Sequence, residues 1–223
     1  MPDNLFHALQ DSAKASQQKR FLSSPSGSSI SYGEFFELAA RYASALQSHG
    51  IEKGDRVLAK TTKSLHSLAL YVSCLQRGAV FIPVNPLSSE EEMSYLINDA
   101  DPAIVVLDHD SLASYEIAVE TIGTSGTLSK RASESPSLTD YAMSSGADTA
   151  VILYTSGTTG KPKGVMVSHR ALIANGSALN QLWGFSQTDV LLHALPLFHV
   201  HGLFVAMHCA MLSAAEVIFL EKF

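Results

Sequence analysis

Cysteine is nearly absent from this sequence. The 223 residues contain two, Cys74 and Cys209, each in apolar surroundings. They read as reduced core residues of a cytoplasmic protein, not as a disulfide framework. Long apolar runs are missing too. The longest mostly apolar stretch, Gly202 to Ala215, contains His208 and Ser213. A bilayer span takes roughly 20 residues, so this stretch reads as a buried helix. The first twenty residues carry Asp3, Gln10 and Asp11 and no unbroken apolar segment, so no secretory signal is visible. Positive charge is also short. Lysine and arginine number 15 against 21 acidic residues, giving a net charge of -6 and a pI near 5.8. That balance argues against nucleic acid as the main partner.

What is present is a core. Hydrophobic residues make up 46% of the chain, which fits a globular protein. The length suffices for one domain. Residues 3 to 15 predict a short amphipathic helix with Leu5, Phe6 and Leu9 on one face. Phe21-Leu22 and Ser29-Ile30-Ser31, around the turn Pro25 to Ser28, predict a small hairpin. Ser31-Tyr32-Gly33-Glu34 opens a helix whose apolar positions recur from Phe35 to Leu46 and which Gly50 ends. Then come a strand (Arg56 to Lys60), a helix (Ser64 to Gln76, closed by Gly78) and a strand (Val80 to Ile82) before Pro83. A helix (Glu90 to Asn98) and a strand (Ala103 to Leu107) follow. This alternation predicts an α/β fold with a largely parallel sheet flanked by helices. Thr121 to Thr149, rich in Ser, Thr, Gly and Ala, reads as a surface excursion with little core of its own. Ala150 to Leu153 reads as a buried strand, His169 to Leu182 as a helix, and Val190 to Leu195 as a strand ended by Pro196. A helix from about Leu203 and a strand from Glu216 to Leu220 close the chain. The last strand is expected at a sheet edge.

Between the strand at Ala150 and the helix at His169 lies Thr155-Ser156-Gly157-Thr158-Thr159-Gly160-Lys161-Pro162-Lys163-Gly164. Glycines allow close backbone approach to an anion, and free N–H groups, hydroxyls and ammoniums neutralise it. The spacing excludes a Walker loop, because Pro162 follows Gly160-Lys161 where Ser or Thr is required. By composition alone, a solvated Gly/Thr/Lys-rich connector is the alternative.

The literal string resembles the signature loop of the adenylate-forming superfamily. That family includes acyl-CoA synthetases, luciferases and nonribosomal peptide adenylation domains. Ile30-Ser31-Tyr32-Gly33-Glu34-Phe35 and Leu75 to Pro83 resemble two further segments of the family, in the family's order. The resemblance implies that Thr155, Ser156, Gly157, Thr158, Thr159, Gly160 and Lys163 hold the ATP phosphates, while Lys161 reads either as a helper or as a solvated loop lysine. It also implies Mg2+, a small carboxylic acid, and CoA as co-substrate.

The segment Leu195 to Phe204 holds His199 and His201 at the expected carboxyl end of a strand, where open α/β sheets place ligands. His193, His199, His201 and His208 could in principle bind a metal. However, no carboxylate lies within the segment and Cys209 has no partner cysteine nearby. His193 and His208 read as ordinary buried histidines with hydrogen-bond partners. The segment resembles the family's P-x-x-H motif. By that resemblance His199 lies near the acyl carboxylate and the α-phosphate, and His201 lines the acyl pocket, where many relatives have Phe or Tyr. An imidazole there suits a second carboxylate better than an alkyl chain. The whole segment is most similar to the malonyl-CoA synthetases of the superfamily, which activate a short dicarboxylic acid, malonate or methylmalonate. A medium-chain or aryl acid, or a non-catalytic nucleotide-binding fragment, is the alternative. Family members run to roughly twice this length, beyond one ordinary domain. The family's later Y-G-x-T-E and T-G-D motifs and its C-terminal lid domain with the catalytic lysine have no counterpart here. Residues 1–223 are thus expected to be a truncated N-terminal AMP-binding domain, inactive on its own.

Overall fold

The computed structural model describes residues 3–111, 113–155 and 162–220. The chain begins with α1 (Leu5–Ala13), whose Asn4 side chain accepts from the Phe6 amide. The hairpin β1 (Arg20–Ser23) and β2 (Ser29–Ser31) follows, antiparallel as expected. Next is α2 (Tyr32–Ser48), started by a reciprocal cap in which Ser31 accepts from the Glu34 amide and Glu34 accepts from the Ser31 amide. Then come β3 (Arg56–Lys60), α3 (Leu65–Arg77), β4 (Val80–Val84), α4 (Glu90–Ala100) and β5 (Ile104–Asp108). Ser64 with Ser67, and Ser89 with Glu92, cap α3 and α4 in the same reciprocal way.

The chain continues through β6 (Val119–Ile122), α5 (Thr127–Glu134), β7 (Thr149–Thr155), β8 (Lys163–Ser168) and α6 (His169–Trp183). It then forms β9 (Val190–His193), a π-helical segment (His201–Met207), α6's neighbour α7 (His208–Leu212) and β10 (Glu216–Phe219). Two sheets result. The larger has the order β6-β5-β3-β4-β7-β8 and the smaller β2-β1-β10-β9. Pairing is parallel except β1 with β2 and β7 with β8.

Alternation along the strands explains why the large sheet is covered on both faces. In β3, Val57 and Ala59 face the main core with Tyr42, Tyr71 and Leu75, while Leu58 faces the other side. In β5, Ile104 and Val106 share the first face and Val105 and Leu107 the second. That second face packs against Met93 and Leu96 of α4. Burying a side chain such as Leu58, fully excluded from solvent, stabilises the fold by about 1.5–3 kcal/mol.

Several expectations need correction. Residues 121–149 hold the end of β6 and all of α5, which packs on α2 and buries Leu128 and Ala132. An eight-residue helix needs little more than that i, i+4 pair to dock, so its composition looked like a loop. Pro83 lies inside β4, opposite Ala59. A proline gives no ladder donor, but β4 keeps its register to β3 along its length and registers with β7 at Phe81↔Val151. The last strand is not at an edge: β10 lies between β1 and β9. The edges of the small sheet are β2 and β9, and those of the large sheet β6 and β8.

Candidate functional site

The Gly-rich stretch is not a strand-to-helix turn. β8 intervenes and pairs antiparallel with β7 from Thr149↔Ser168 to Thr155↔Lys163. Thr155 is therefore the last residue of one strand and Lys163 the first of its partner, both exposed. Ser156, Gly157, Thr158, Thr159, Gly160 and Lys161 lie outside the described residues. β8 was hidden because most of it faces solvent: Val165 is 48% and Met166 73% exposed. A strand exposed in this way shows no alternation of apolar and polar residues.

The base of this hairpin is held by residues that the sequence did not single out. Tyr154 donates its hydroxyl to Asp99 Oδ2 at 2.7 Å, and Tyr95 donates to the Pro162 carbonyl at 2.9 Å. Both Tyr95 and Asp99 belong to α4. Burial, together with the Asp99 carboxylate, pushes the Tyr154 hydroxyl well above its usual range, so it stays a donor. Gly164 sits opposite Tyr154. A Cβ there would lie 3.0 Å from Ile152 Cγ2 and 3.2 Å from Tyr154 Cζ, so the ring passes where a side chain would stand.

The histidine segment divides in two. His193 and His208 are 1% and 0% exposed. Each has one partner: His193 Nε2 meets the Gly202 carbonyl at 2.8 Å, and His208 Nε2 meets the Tyr71 hydroxyl at 2.8 Å. Burial pulls their pKa values down to about 4 and about 3, so both are neutral near pH 7. A carbonyl accepts, so the His193 proton sits on Nε2, donating. His199 and His201 are exposed. His201 starts the π-helical segment two residues before the helix expected from Leu203, and His199 lies in the turn before it. The His199 carbonyl accepts from the amides of Gly202 and Leu203 at 3.0 and 3.1 Å. Asn175 of α6 donates to the Phe204 carbonyl at 3.2 Å within the π-helical segment, whose wide turns loosen the usual ladder.

Thr155 and the histidine segment lie at the same end of the large sheet. β7 runs parallel to β4, so Thr155 is at the carboxyl end of the large sheet. A narrow cleft at that end is lined by Ala59, Thr61 and Pro83 on one side and by Leu197, Phe198 and Leu203 on the other. The histidine segment thus packs over the ends of β3 and β4, next to β7. Among the described residues no group of three or more His, Cys, Asp or Glu is placed to hold a metal ion. Cys74 and Cys209 are buried and free. Among those residues, too, no helix is long and apolar enough to cross a membrane.

Comparison with known proteins agrees with this fold. MatB from Rhodopseudomonas palustris, solved with ATP bound, superposes with a TM-score of 0.93 and 39% identity, over 100% of this chain and 46% of that one. A malonate–CoA ligase from Arabidopsis thaliana is 29% identical over 223 residues, covering 88% of this chain and 37% of its own. The 4-coumarate–CoA ligase 5 of Oryza sativa subsp. japonica is 29% identical over 210 residues, covering 88% and 39%. The chain spans less than half the length of each of these relatives. Residues 9–223 match the family described as AMP-binding enzyme, and the chain belongs to that family.

Proposed function

We propose that the full-length protein is an ATP-dependent acid–CoA ligase for a short dicarboxylic acid, malonate or methylmalonate, and that residues 1–223 are the first part of its N-terminal domain. The observation that carries this reading is the pair of exposed histidines, His199 and His201, at the carboxyl end of β9. The 39% identity to ATP-bound MatB along the whole chain supports it. In the reaction, a carboxylate oxygen attacks the α-phosphate of ATP, the bond to the β-phosphate breaks and pyrophosphate leaves. The CoA thiol then attacks the acyl carbonyl, forming the thioester and releasing AMP.

We assign the triphosphate to Thr155, Ser156, Gly157, Thr158, Thr159, Gly160 and Lys163, which would fix it by hydrogen bonds and charge. The rigid base given by Tyr154, Asp99 and Tyr95 favours that role, since orientation must precede chemistry. His199 would orient the reacting carboxylate and His201 would read the distal one. The described residues offer no cluster for Mg2+, so no step here is assigned to it. CoA and adenine receive no residue of this chain, and residues 1–223 alone should not complete the reaction.

Thioester synthesis by the full-length protein with malonate, methylmalonate, butyrate and 4-coumarate tests the reading. Preference for a dicarboxylate is expected. Turnover of butyrate or 4-coumarate with none of malonate or methylmalonate would overturn it. The similarity to a 4-coumarate ligase makes the aryl acid the second reading.

A further inference from the structure

Lys63 lies three residues beyond β3, at the carboxyl end of the large sheet. Its ammonium crosses to the small sheet and donates to the His193 carbonyl at 2.7 Å. It also stands 4.4 Å above the centre of the Phe219 ring of β10. Phe219 in turn stacks on the His193 imidazole, with ring centres 5.7 Å apart and planes 17° from parallel. The His193 ring then donates to Gly202. Gly202 itself has no freedom: a Cβ on it would lie 1.9 Å from the Pro196 carbonyl oxygen. Four contacts thus run from β3 to the backbone between His199 and Leu203.

We infer that Lys63 and His193 form a brace that fixes the His199–His201 segment over the carboxyl ends of the two sheets, which makes both of them positioning residues for the carboxylic acid. The inference rests on the ligase reading for its substrate, but the brace itself is a property of the fold.

The chemistry favours a positioning role over simple cohesion. Half-burying an ammonium is costly, and burial lowers the Lys63 pKa to about 8. An apolar side chain would join the sheets at lower cost. What an apolar side chain cannot do is fix the orientation of a carbonyl. The Lys63 hydrogen bond does so at the residue whose ring holds Gly202. His193 has the same logic. Its Nδ1 is buried with no partner among the described residues, so the ring gives up one hydrogen bond and keeps the one that reaches the segment.

The full-length protein carries the test, with Lys63→Met, Lys63→Arg and His193→Gln. Lys63→Met removes the donor, Lys63→Arg restores one, and His193→Gln keeps an N–H that can reach Gly202. Lys63→Met is expected to raise KM for the acid by roughly three- to tenfold, the range of one hydrogen bond, while KM for ATP stays within about twofold. Lys63→Arg should keep KM for the acid near the wild-type value, and His193→Gln, which keeps the donor to Gly202, should raise it less than Lys63→Met does. Hydrogen exchange on the same proteins should show faster exchange at residues 196–204 in Lys63→Met, with β3 and α3 unchanged. Unaltered exchange at 196–204, or an increase spread evenly over β3 and α3, would overturn the brace. If Lys63→Met does not fold, His193→Leu takes its place: it removes both the donor to Gly202 and the stack on Phe219, and unaltered exchange at 196–204 in it would overturn the brace. If the wild type activates no carboxylic acid, the ligase reading fails, and the exchange arm still decides the brace.

Discussion

Two pairs of histidines lie within sixteen residues of one another and differ in almost everything else. His193 and His208 are sealed, neutral and bonded to one partner each. His199 and His201 are exposed. The residue type is the same, so the difference lies wholly in packing. The first pair spends its hydrogen bonds on holding a turn and a helix in place. The second presents its rings to solvent. A histidine-rich stretch is therefore not one unit: two of its imidazoles serve the fold and two are left to solvent.

The largest effect should separate the pairs by pH. His208, His193 and His169 have folded-state values of about 3, 4 and 4, all lowered by burial from an ordinary 6.5. As pH falls below 6.5 the unfolded chain takes up protons that the folded chain refuses, so stability falls with pH. The loss runs from about pH 6.5 towards 3, and His208 alone should contribute on the order of several kcal/mol. Asp148, held at about 2 chiefly by its Lys53 hydrogen bond, acts in a lower window, between 3.8 and 2. Urea midpoints measured from pH 7 to pH 4 should fall steadily. A flat profile would mean that these imidazoles are not sealed.

Next in size, His208→Ala should cost about 3 kcal/mol of stability, from the lost Tyr71 bond and the space left between Tyr71 and Phe204. His199→Ala should change stability by no more than about 0.5 kcal/mol. Chemical denaturation of both variants compares them directly, and equal losses would erase the distinction between the pairs.

His201→Phe sharpens the comparison within the exposed pair. It should lower kcat/KM for malonate relative to butyrate by about 1–3 kcal/mol, the value of a charged hydrogen bond. An unchanged ratio of the two would remove His201 from the distal carboxylate. A smaller effect on catalysis is expected from the paired change Thr158→Ala with Thr159→Ala. Pyrophosphate exchange should slow by at least about tenfold, or about 1.4 kcal/mol in the barrier, with the fold intact. Wild-type exchange in that variant would detach the Gly-rich stretch from the triphosphate.

The helices and central strands were legible because their signals are local. Ser31, Ser64 and Ser89 mark three helix starts, and β3 and β5 are short apolar runs bounded by charge. β8 and α5 were not legible, since the one is mostly solvent-exposed and the other contributes two side chains to the core. At the site, His199, His201 and the Gly-rich string were visible as patterns. Their supports were not. Tyr154 is 55 residues from Asp99, and Lys63 is 130 residues from His193. No local spacing rule spans such distances.

The place of β10 has a consequence for how the protein is made. Leu22 of β1 pairs with Val217 of β10, so the first strand waits for the end of the described chain before its sheet can close. At roughly 5–20 residues per second of synthesis, that wait lasts about 10–40 s. Contacts so distant in sequence also slow folding once the chain is complete, because a long loop must close before any pairing rewards it. The large sheet, whose strands β3, β4 and β5 fall between residues 56 and 108, needs no such wait. The two sheets should therefore mature in sequence, the large one first. Pulse proteolysis of ribosome-stalled chains ending near residue 180, and of chains with all of β10 clear of the ribosome, would reveal that order as early protection of β3 to β5 and late protection of β1.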